Sequence, residues 1–143
     1  AGIIATAAAC AAAALAVFAL GVSLYAMAHP PGPGAEQALQ TALIEARPGD
    51  TIRLARGRFE ITTGLSLNVD RVTIRGEGED RSILAFDNQR RGAEGLLVTS
   101  DRVVLRDFAV ENARGDAIKV RDCNGIEFRG VRAEWTRGPN SDN

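Results

Sequence analysis

The 143-residue chain is nearly neutral, with 17 basic against 18 acidic side chains and a formal net charge of −1 at pH 7. A protein that binds nucleic-acid phosphates needs an excess of basic over acidic side chains, so this balance argues against a nucleic-acid partner. Of the two cysteines, only Cys123 lies outside an apolar N-terminal segment, so the charged part of the chain has no pair for a disulfide framework.

The first 28 residues contain no charged side chain and end on Ala26-Met27-Ala28. This small-x-small ending is the pattern after which signal peptidases cut, and it predicts an export signal at 1–28 followed by a linker at 29–34. Export without disulfides favours a bacterial periplasmic or secreted protein. The alternative is a retained membrane anchor, because an apolar run of this length can span a bilayer. Membrane contact would then be confined to 1–28.

The stretch AEQALQTALIEARPGD, residues 35–50, predicts a short amphipathic helix that ends at Pro48-Gly49. Its small and apolar side chains fall on one helical face: Ala38, Leu39, Ala42, Leu43 and Ala46. We expect this helix to cover the first strands of the domain that follows, because an open sheet edge recruits other chains.

One phrase then recurs three times: DRVTIRG at 70–76, DRVVLRD at 101–107 and NGIEFRG at 124–130. The alignment places Val103 31 residues after Val72 and 23 residues before Ile126. The extra residues of the longer step fall in polar stretches, where an insertion belongs. Two further sets of segments follow the same alignment: 65–67 with 96–98 and 118–120, and 83–86 with 108–111 and 131–134.

Apolar residues alternate within each copy, as Val103 and Leu105 show, and a period of two predicts strands with one buried face. Each copy therefore holds three short strands separated by turns rich in Gly, Asp and Asn. A repeat that returns each strand to the same place one lap later predicts an all-β parallel β-helix over 35–143, with equivalent residues about 4.8 Å apart. Nothing that could cap the last coil follows it, so we expect further coils beyond residue 143.

Polar residues repeat with the strands. Asp70, Asp101 and Asn124 each stand two positions before the aligned Val or Ile, where their side chains can bond nearby backbone and stack between coils. Three positions after that Val or Ile stand three arginines, which predict an outward ladder of guanidinium groups: Arg75, Arg106 and Arg129.

Three segments carry a family resemblance: ALQTALIEARPGDTIRLARGRFEI, VTIRGEGEDRSIL and GDAIKVRDCNGIEF. They resemble right-handed parallel β-helix repeat proteins of the pectin-lyase-like superfamily, over about residues 36–136. The resemblance implies a right-handed solenoid. It does not single out an activity, because that superfamily includes lyases, hydrolases, epimerases and adhesins.

Several kinds of catalytic site are excluded. His29 is the only histidine of the chain, so Ser-His and Cys-His catalysis has no base, and no Cys/His cluster has the spacing of a metal site. Two carboxylates remain of interest, since Glu111 and Glu134 are equivalent on neighbouring coils. Such a pair could approach the separation of about 5 Å found in retaining glycosidases. The alternative is that both side chains lie at strand ends in solvent.

Glu94 and Asp116 are also equivalent, and Asp116 precedes a strand whose outward residues are Lys119 and Arg121. Polysaccharide lyases of the superfamily bind Ca²⁺ through carboxylates and remove a C5 proton with a basic residue near such a strand. The resemblance thus implies Glu94 and Asp116 as calcium ligands, with Asp116 and Lys119 as catalytic groups. The alternative is a turn aspartate and a solvated lysine, with no cofactor.

The remaining candidates concern ligand binding. A ladder of arginines matches an extended polyanion such as a uronate polysaccharide, and Arg121 would extend that surface. Alternatively the ladder is structural, with Glu127 as a local partner of Arg129. Trp135 is a candidate platform for sugar stacking or a side chain that closes the core.

Two functions follow from these features. The first is an exported β-helix that binds an acidic polysaccharide, or another extracytoplasmic partner, along its stacked strands. The alternative is a lyase, epimerase or glycoside hydrolase acting on such a polymer, with its main active site beyond residue 143.

Overall fold

The structure is a computed structural model that describes residues 28–137. The predicted signal or anchor, apart from Ala28, and the last six residues of the chain lie outside this range. Between residues 28 and 137 no helix has the length and apolar character that a membrane crossing requires.

The described part of the chain is mostly β, with one helix near its start. The elements in chain order are β1 Ala28–His29, α1 Ala35–Glu45, β2 Thr51–Leu54, β3 Gly57–Glu60, β4 Thr63–Leu67, β5 Thr73–Arg75, β6 Ser82–Ala85, β7 Arg91–Val98, β8 Val103–Glu111, β9 Ile118–Val120 and β10 Ile126–Glu134. The short strand β1 joins β2 and was not predicted from the sequence.

Every strand pairing within residues 28–137 is parallel, and the strands form a curled sheet with a second, smaller one beside it. The larger sheet contains β1, β2, β5, β8, β6 and β3 in that order, and β10 also pairs with β8. The smaller sheet contains β4, β7 and β9. Both β8 and β10 are long enough to pair along two successive segments, with a bend at Asp107 and Gly130, whose φ angles are 61° and 56°.

The pairing register confirms most of the sequence alignment. Ile126 lies opposite Val103, Val131 opposite Phe108, and the segment 118–120 pairs in parallel with 96–98. The segment 96–98 in turn pairs with 65–67. The 22–23-residue period of the later copies therefore corresponds to strands that lie side by side in space.

One part of the alignment was wrong by one residue. The sequence placed 83–86 against 108–111, whereas Ile83 pairs with Ala109 and Leu84 with Val110. Ser82 takes the buried position instead, because its hydroxyl accepts the N–H of Glu77 at 2.9 Å and donates to the carbonyl of Ala55 at 3.0 Å. A buried polar group that is fully bonded is not visible to an alignment based on hydrophobicity.

Helix α1 closes the N-terminal end of the core. Leu39 and Leu43 are each 1 % exposed, whereas Ala38, predicted to share their face, is exposed. The Glu36 carboxylate accepts hydrogen bonds from the backbone N–H and the hydroxyl of Thr62 and from the hydroxyl of Thr63. The side-chain amide of Gln40 bonds the backbone of Ser66. These contacts attach the helix to β4 and to the turn before it.

The opposite side of the core is only partly covered. Phe128 on β10 pairs with the buried Leu105 of β8, yet it is 49 % exposed. Ile118, Val131 and Trp135 are half-buried around it and line a shallow apolar groove. The expectation of further coils stays a prediction.

The stacked Asx residues form the ladder that the sequence predicted. The Oδ1 atom of Asp70 accepts the backbone N–H of Asp101 at 2.8 Å, and Oδ1 of Asp101 accepts the N–H of Asn124 at 2.9 Å. Arg71 and Arg102, which follow the two aspartates, have φ angles of 57° and 54°, so the chain turns sharply at each step. The Asx side chains thus satisfy backbone donors at a corner that repeats before successive parallel strands.

We expect Asp101→Ala to lower the free energy of unfolding by about 1 kcal/mol, because one side-chain acceptor of the ladder is lost. Asp101→Asn is the matched control, since its amide oxygen can accept the same N–H, and it should recover most of the loss. Urea unfolding followed by far-ultraviolet circular dichroism measures both. Equal losses in the two variants would contradict the ladder's role.

Candidate functional site

Arginines occupy equivalent positions on four parallel strands. Arg53 pairs with Arg75, Arg75 with Arg106, and Arg106 with Arg129, which places neighbouring Cα atoms about 4.8 Å apart. Buried residues such as Ile52, Ile74 and Leu105 precede them on the strands, so the arginines project from the outer face. We call Arg53, Arg75, Arg106 and Arg129 the arginine ladder.

The sequence predicted three of these four arginines. Arg53 was missed because the first strand precedes the recurring phrase and lacks its Asp-Arg-Val opening. A usable signal was nevertheless present, since Thr51-Ile52-Arg53 and Thr73-Ile74-Arg75 are identical tripeptides.

The ladder has two chemically different halves. Nε of Arg106 donates to the carboxylate of Asp107 at 2.7 Å, and Nε of Arg129 donates to Glu127 at 2.5 Å. For Arg53 and Arg75, no carboxylate of residues 28–137 lies within 4.0 Å of the guanidinium, and neither side chain donates a hydrogen bond to another residue of that range. The predicted pairing of Arg129 with Glu127 is therefore confirmed, but it does not extend along the whole ladder.

A groove of about 490 Å³ lies beside the unpaired half of the ladder. Its lining residues are Ala28, Arg53, Leu54, Arg75, Gly76, Glu77 and Asp107. Both acidic side chains of this lining already have partners, because Glu77 accepts the backbone N–H of Arg56 at 2.8 Å and Asp107 accepts from Arg106. The groove thus combines two free cations with two acids that are already bonded.

The Glu111 and Glu134 carboxylates lie on paired positions of neighbouring strands, as predicted, but in different surroundings. Glu111 is 5 % exposed, so the expectation that both lie in solvent was wrong for this residue. Its Oε1 accepts from Arg58 at 2.8 Å and its Oε2 from Arg132 at 2.9 Å. Arg132 also bonds the exposed carboxylate of Glu134, and so bridges the two glutamates.

This network determines the protonation of Glu111. Burial alone would raise the pKa of the carboxyl group, but the hydrogen bonds and charges of Arg58 and Arg132 outweigh burial and hold the pKa below its ordinary value. A general acid needs the opposite shift. The arrangement is therefore that of a paired structural carboxylate.

Asp87 belongs to the same network and was not identified from the sequence. It accepts from Arg58 at 2.6 Å and from Arg137 at 3.0 Å. Burial would raise its pKa, but the bond from Asn112 and the two arginines lower it below its ordinary value. Asp87 follows β6, and its partners Arg58 and Arg137 lie far from it in the sequence, so the repeat pattern did not indicate them.

Lys119 lies between the two carboxylates proposed as calcium ligands. Its Nζ is 3.4 Å from Glu94 and 3.5 Å from Asp116. The pKa of Glu94 is lowered, because its carboxylate accepts a hydrogen bond from the backbone N–H of Glu94 and lies near the charge of Lys119; these effects outweigh burial, which would raise the pKa. No cluster of three or more His, Cys, Asp or Glu side chains able to hold a metal ion occurs in the described range. The geometry supports an ion-paired lysine, and the calcium site stays a prediction.

The four predicted catalytic residues lie in two separate places. Lys119 is on β9 and Asp116 just before it, whereas Glu111 and Glu134 are on β8 and β10 in the other sheet. These four residues therefore do not form one site. Arg121 is exposed after β9. The indole N–H of Trp135 donates to the carbonyl of Ala113 at 2.7 Å, and the ring is half-buried against the core. This contact favours packing over a freely presented sugar platform.

Comparisons with protein-family models, with curated proteins and with solved structures found no match to this chain.

Proposed function

We propose that the protein is an exported right-handed parallel β-helix that binds an acidic polysaccharide along the arginine ladder. The observation that carries the proposal is the in-register stack of four outward arginines. The solenoid is supported by three sets of parallel strands that recur once per coil, and right-handed crossovers are strongly preferred between parallel strands. The resemblance to pectin-lyase-like proteins points the same way.

The ligand class follows from the spacing and charge of the ladder. Like charges on neighbouring strands about 4.8 Å apart repel one another unless they have acidic neighbours, solvent screening or an anionic ligand. Asp107 and Glu127 neutralise only one half of the ladder. An extended polymer with regularly spaced anionic groups would supply the missing partners, and the planar guanidinium fork is well suited to binding oxyanions.

Binding is favoured over catalysis because every candidate catalytic group is already engaged by an opposite charge. Glu111 and Glu134 both bond Arg132, and Asp116 shares the ammonium group of Lys119 with Glu94. The pKa of Glu111 is lowered, which keeps it ionised and unable to donate a proton near neutral pH.

The test measures retention of the full chain on immobilised polygalacturonate and alginate, with dextran as a neutral glycan, over a range of salt concentrations. We expect retention on the two acidic polymers alone. Replacing all four ladder arginines by alanine should weaken binding about 100-fold or more at low salt. The slope of the logarithm of affinity against the logarithm of salt concentration should become shallower by about one per arginine removed. The matched control is Arg90→Ala/Arg91→Ala, which removes exposed charges away from the ladder.

Two results would overturn the proposal. One is an equal loss per arginine in the control, which would indicate non-specific attraction. The other is absence of retention on any acidic polymer. A Ca²⁺-dependent rise in the ultraviolet absorbance of unsaturated uronates during these incubations would replace it with the lyase alternative, and would direct mutagenesis to Asp116 and Lys119.

A further inference from the structure

The two ends of the arginine ladder differ in what stands next to each arginine on the same strand face. Two positions before Arg129 is Glu127, which pairs with it, and directly after Arg106 is Asp107, which also pairs. The corresponding neighbours of Arg53 and Arg75 are Thr51 and Thr73, which are uncharged and carry hydroxyl groups. The N-terminal half of the ladder therefore offers two free guanidiniums flanked by hydroxyl donors.

Gly76 leaves the corner directly after Arg75 without a side chain. This residue occupies the corner position that Asp107 takes on the next strand, and a side chain here would overlap the Asp107 carbonyl oxygen and lie 2.7 Å from Cβ of Ser82. Consequently no carboxylate can stand after Arg75 as Asp107 stands after Arg106. The positive charge of Arg53 and Arg75 is left facing the groove.

We propose that Arg53 and Arg75 form a subsite for a tetrahedral dianion, a phosphate monoester carried by the polysaccharide, an inference that rests on the proposed function. Two guanidinium forks in register present donors from two adjacent strands, which match the several oxygens and double charge of such a group better than one planar monovalent carboxylate. Arg106 and Arg129, the paired half of the ladder, would contact the neighbouring part of the polymer.

The test follows the Nε–H signals of the arginines of the full chain by ¹H–¹⁵N NMR while inorganic phosphate, inorganic sulfate or acetate is added at constant ionic strength. We expect the Arg53 and Arg75 signals to shift saturably with phosphate and sulfate, about tenfold more tightly than with acetate, the worth of one charge-assisted hydrogen bond. Lowering the pH through the second ionisation of phosphate should weaken the binding of phosphate and leave the binding of sulfate unchanged. This comparison shows whether the subsite requires the doubly charged anion.

The variant Arg53→Lys/Arg75→Lys keeps the charge and removes the forks. It should weaken the binding of phosphate and sulfate about tenfold, because lysine offers a point charge in place of the planar fork. Arg90 and Arg91 serve as internal controls, and their signals should not saturate.

Three outcomes would overturn the subsite. They are equal affinity for acetate, uniform unsaturated shifts of all exposed arginines, and polymer retention that depends on Arg106 and Arg129 but not on Arg53 and Arg75. In the last case the proposed function would stand without the subsite. Loss of all polymer retention would instead remove the proposed function, so the two failures are separable.

Discussion

Glu111→Ala is expected to lower the free energy of unfolding by about 3 kcal/mol, one of the two largest losses we predict for a single substitution. The change removes two charge-assisted hydrogen bonds, at 2.8 and 2.9 Å, and leaves the guanidiniums of Arg58 and Arg132 without their shared partner. Both arginines retain some contact with solvent, which keeps the loss below that of a fully buried unpaired charge. Urea unfolding monitored by fluorescence of Trp135, the only tryptophan, measures the effect.

The pH dependence has a definite sign. The folded-state pKa values of Glu111 and Asp87 are lowered, so each group contributes stability above its unfolded-state pKa and loses that contribution as the pH falls through the folded-state value. The free energy of unfolding should therefore decrease on acidification below about pH 5, and less steeply in Glu111→Gln.

Glu134→Gln is the matched control, because Glu134 bonds the same Arg132 from an exposed position. We expect it to change stability by about 0.5 kcal/mol or less and to keep the parent's acid dependence. If Glu134→Gln were as destabilising as Glu111→Gln, the burial of Glu111 between Arg58 and Arg132 would not be the source of the stability.

The second large effect is expected from Gly76→Ala, which should lower the free energy of unfolding by about 3 kcal/mol or more. The added Cβ would overlap the carbonyl oxygen of Asp107 on the adjacent strand and press against Ser82. Backbone atoms of a stacked strand cannot move aside without breaking pairing, so we expect the loss to exceed the small gain from a stiffer unfolded chain. Urea unfolding followed by circular dichroism provides the measurement.

Gly130→Ala is its control at the equivalent corner of β10. There the added Cβ would lie 3.1 Å from the Asp107 carboxylate, and the main penalty is a φ angle of 56°. We expect a loss of about 1 kcal/mol, the penalty of a left-handed conformation for alanine. A Gly76→Ala loss no larger than this would mean that the corner can widen, and that the position after Arg75 does not require glycine.

The repeat was readable because equivalent residues of stacked strands share one environment. Val103 and Ile126 face the same core, and Arg75 and Arg106 face the same solvent, so a parallel register appears in the sequence as a period. The Asx ladder was predictable for the same reason, since each corner has a backbone N–H that needs a side-chain acceptor from the preceding copy. The alignment slipped at Ser82, where a polar side chain occupies a core position and satisfies a turn.

The sequence by itself determined the parallel strands, the N-terminal helix, the Asx corners and three members of the arginine ladder, because each depends on local pattern and repetition. Only the tertiary structure decided which charges are paired. Arg58 reaches Glu111 from 53 positions away, and Lys119 lies between Glu94 and Asp116. Such pairings depend on how far a side chain reaches across neighbouring strands, a distance in space that the period does not encode. For this reason the free half of the ladder, at Arg53 and Arg75, became visible only in the folded chain.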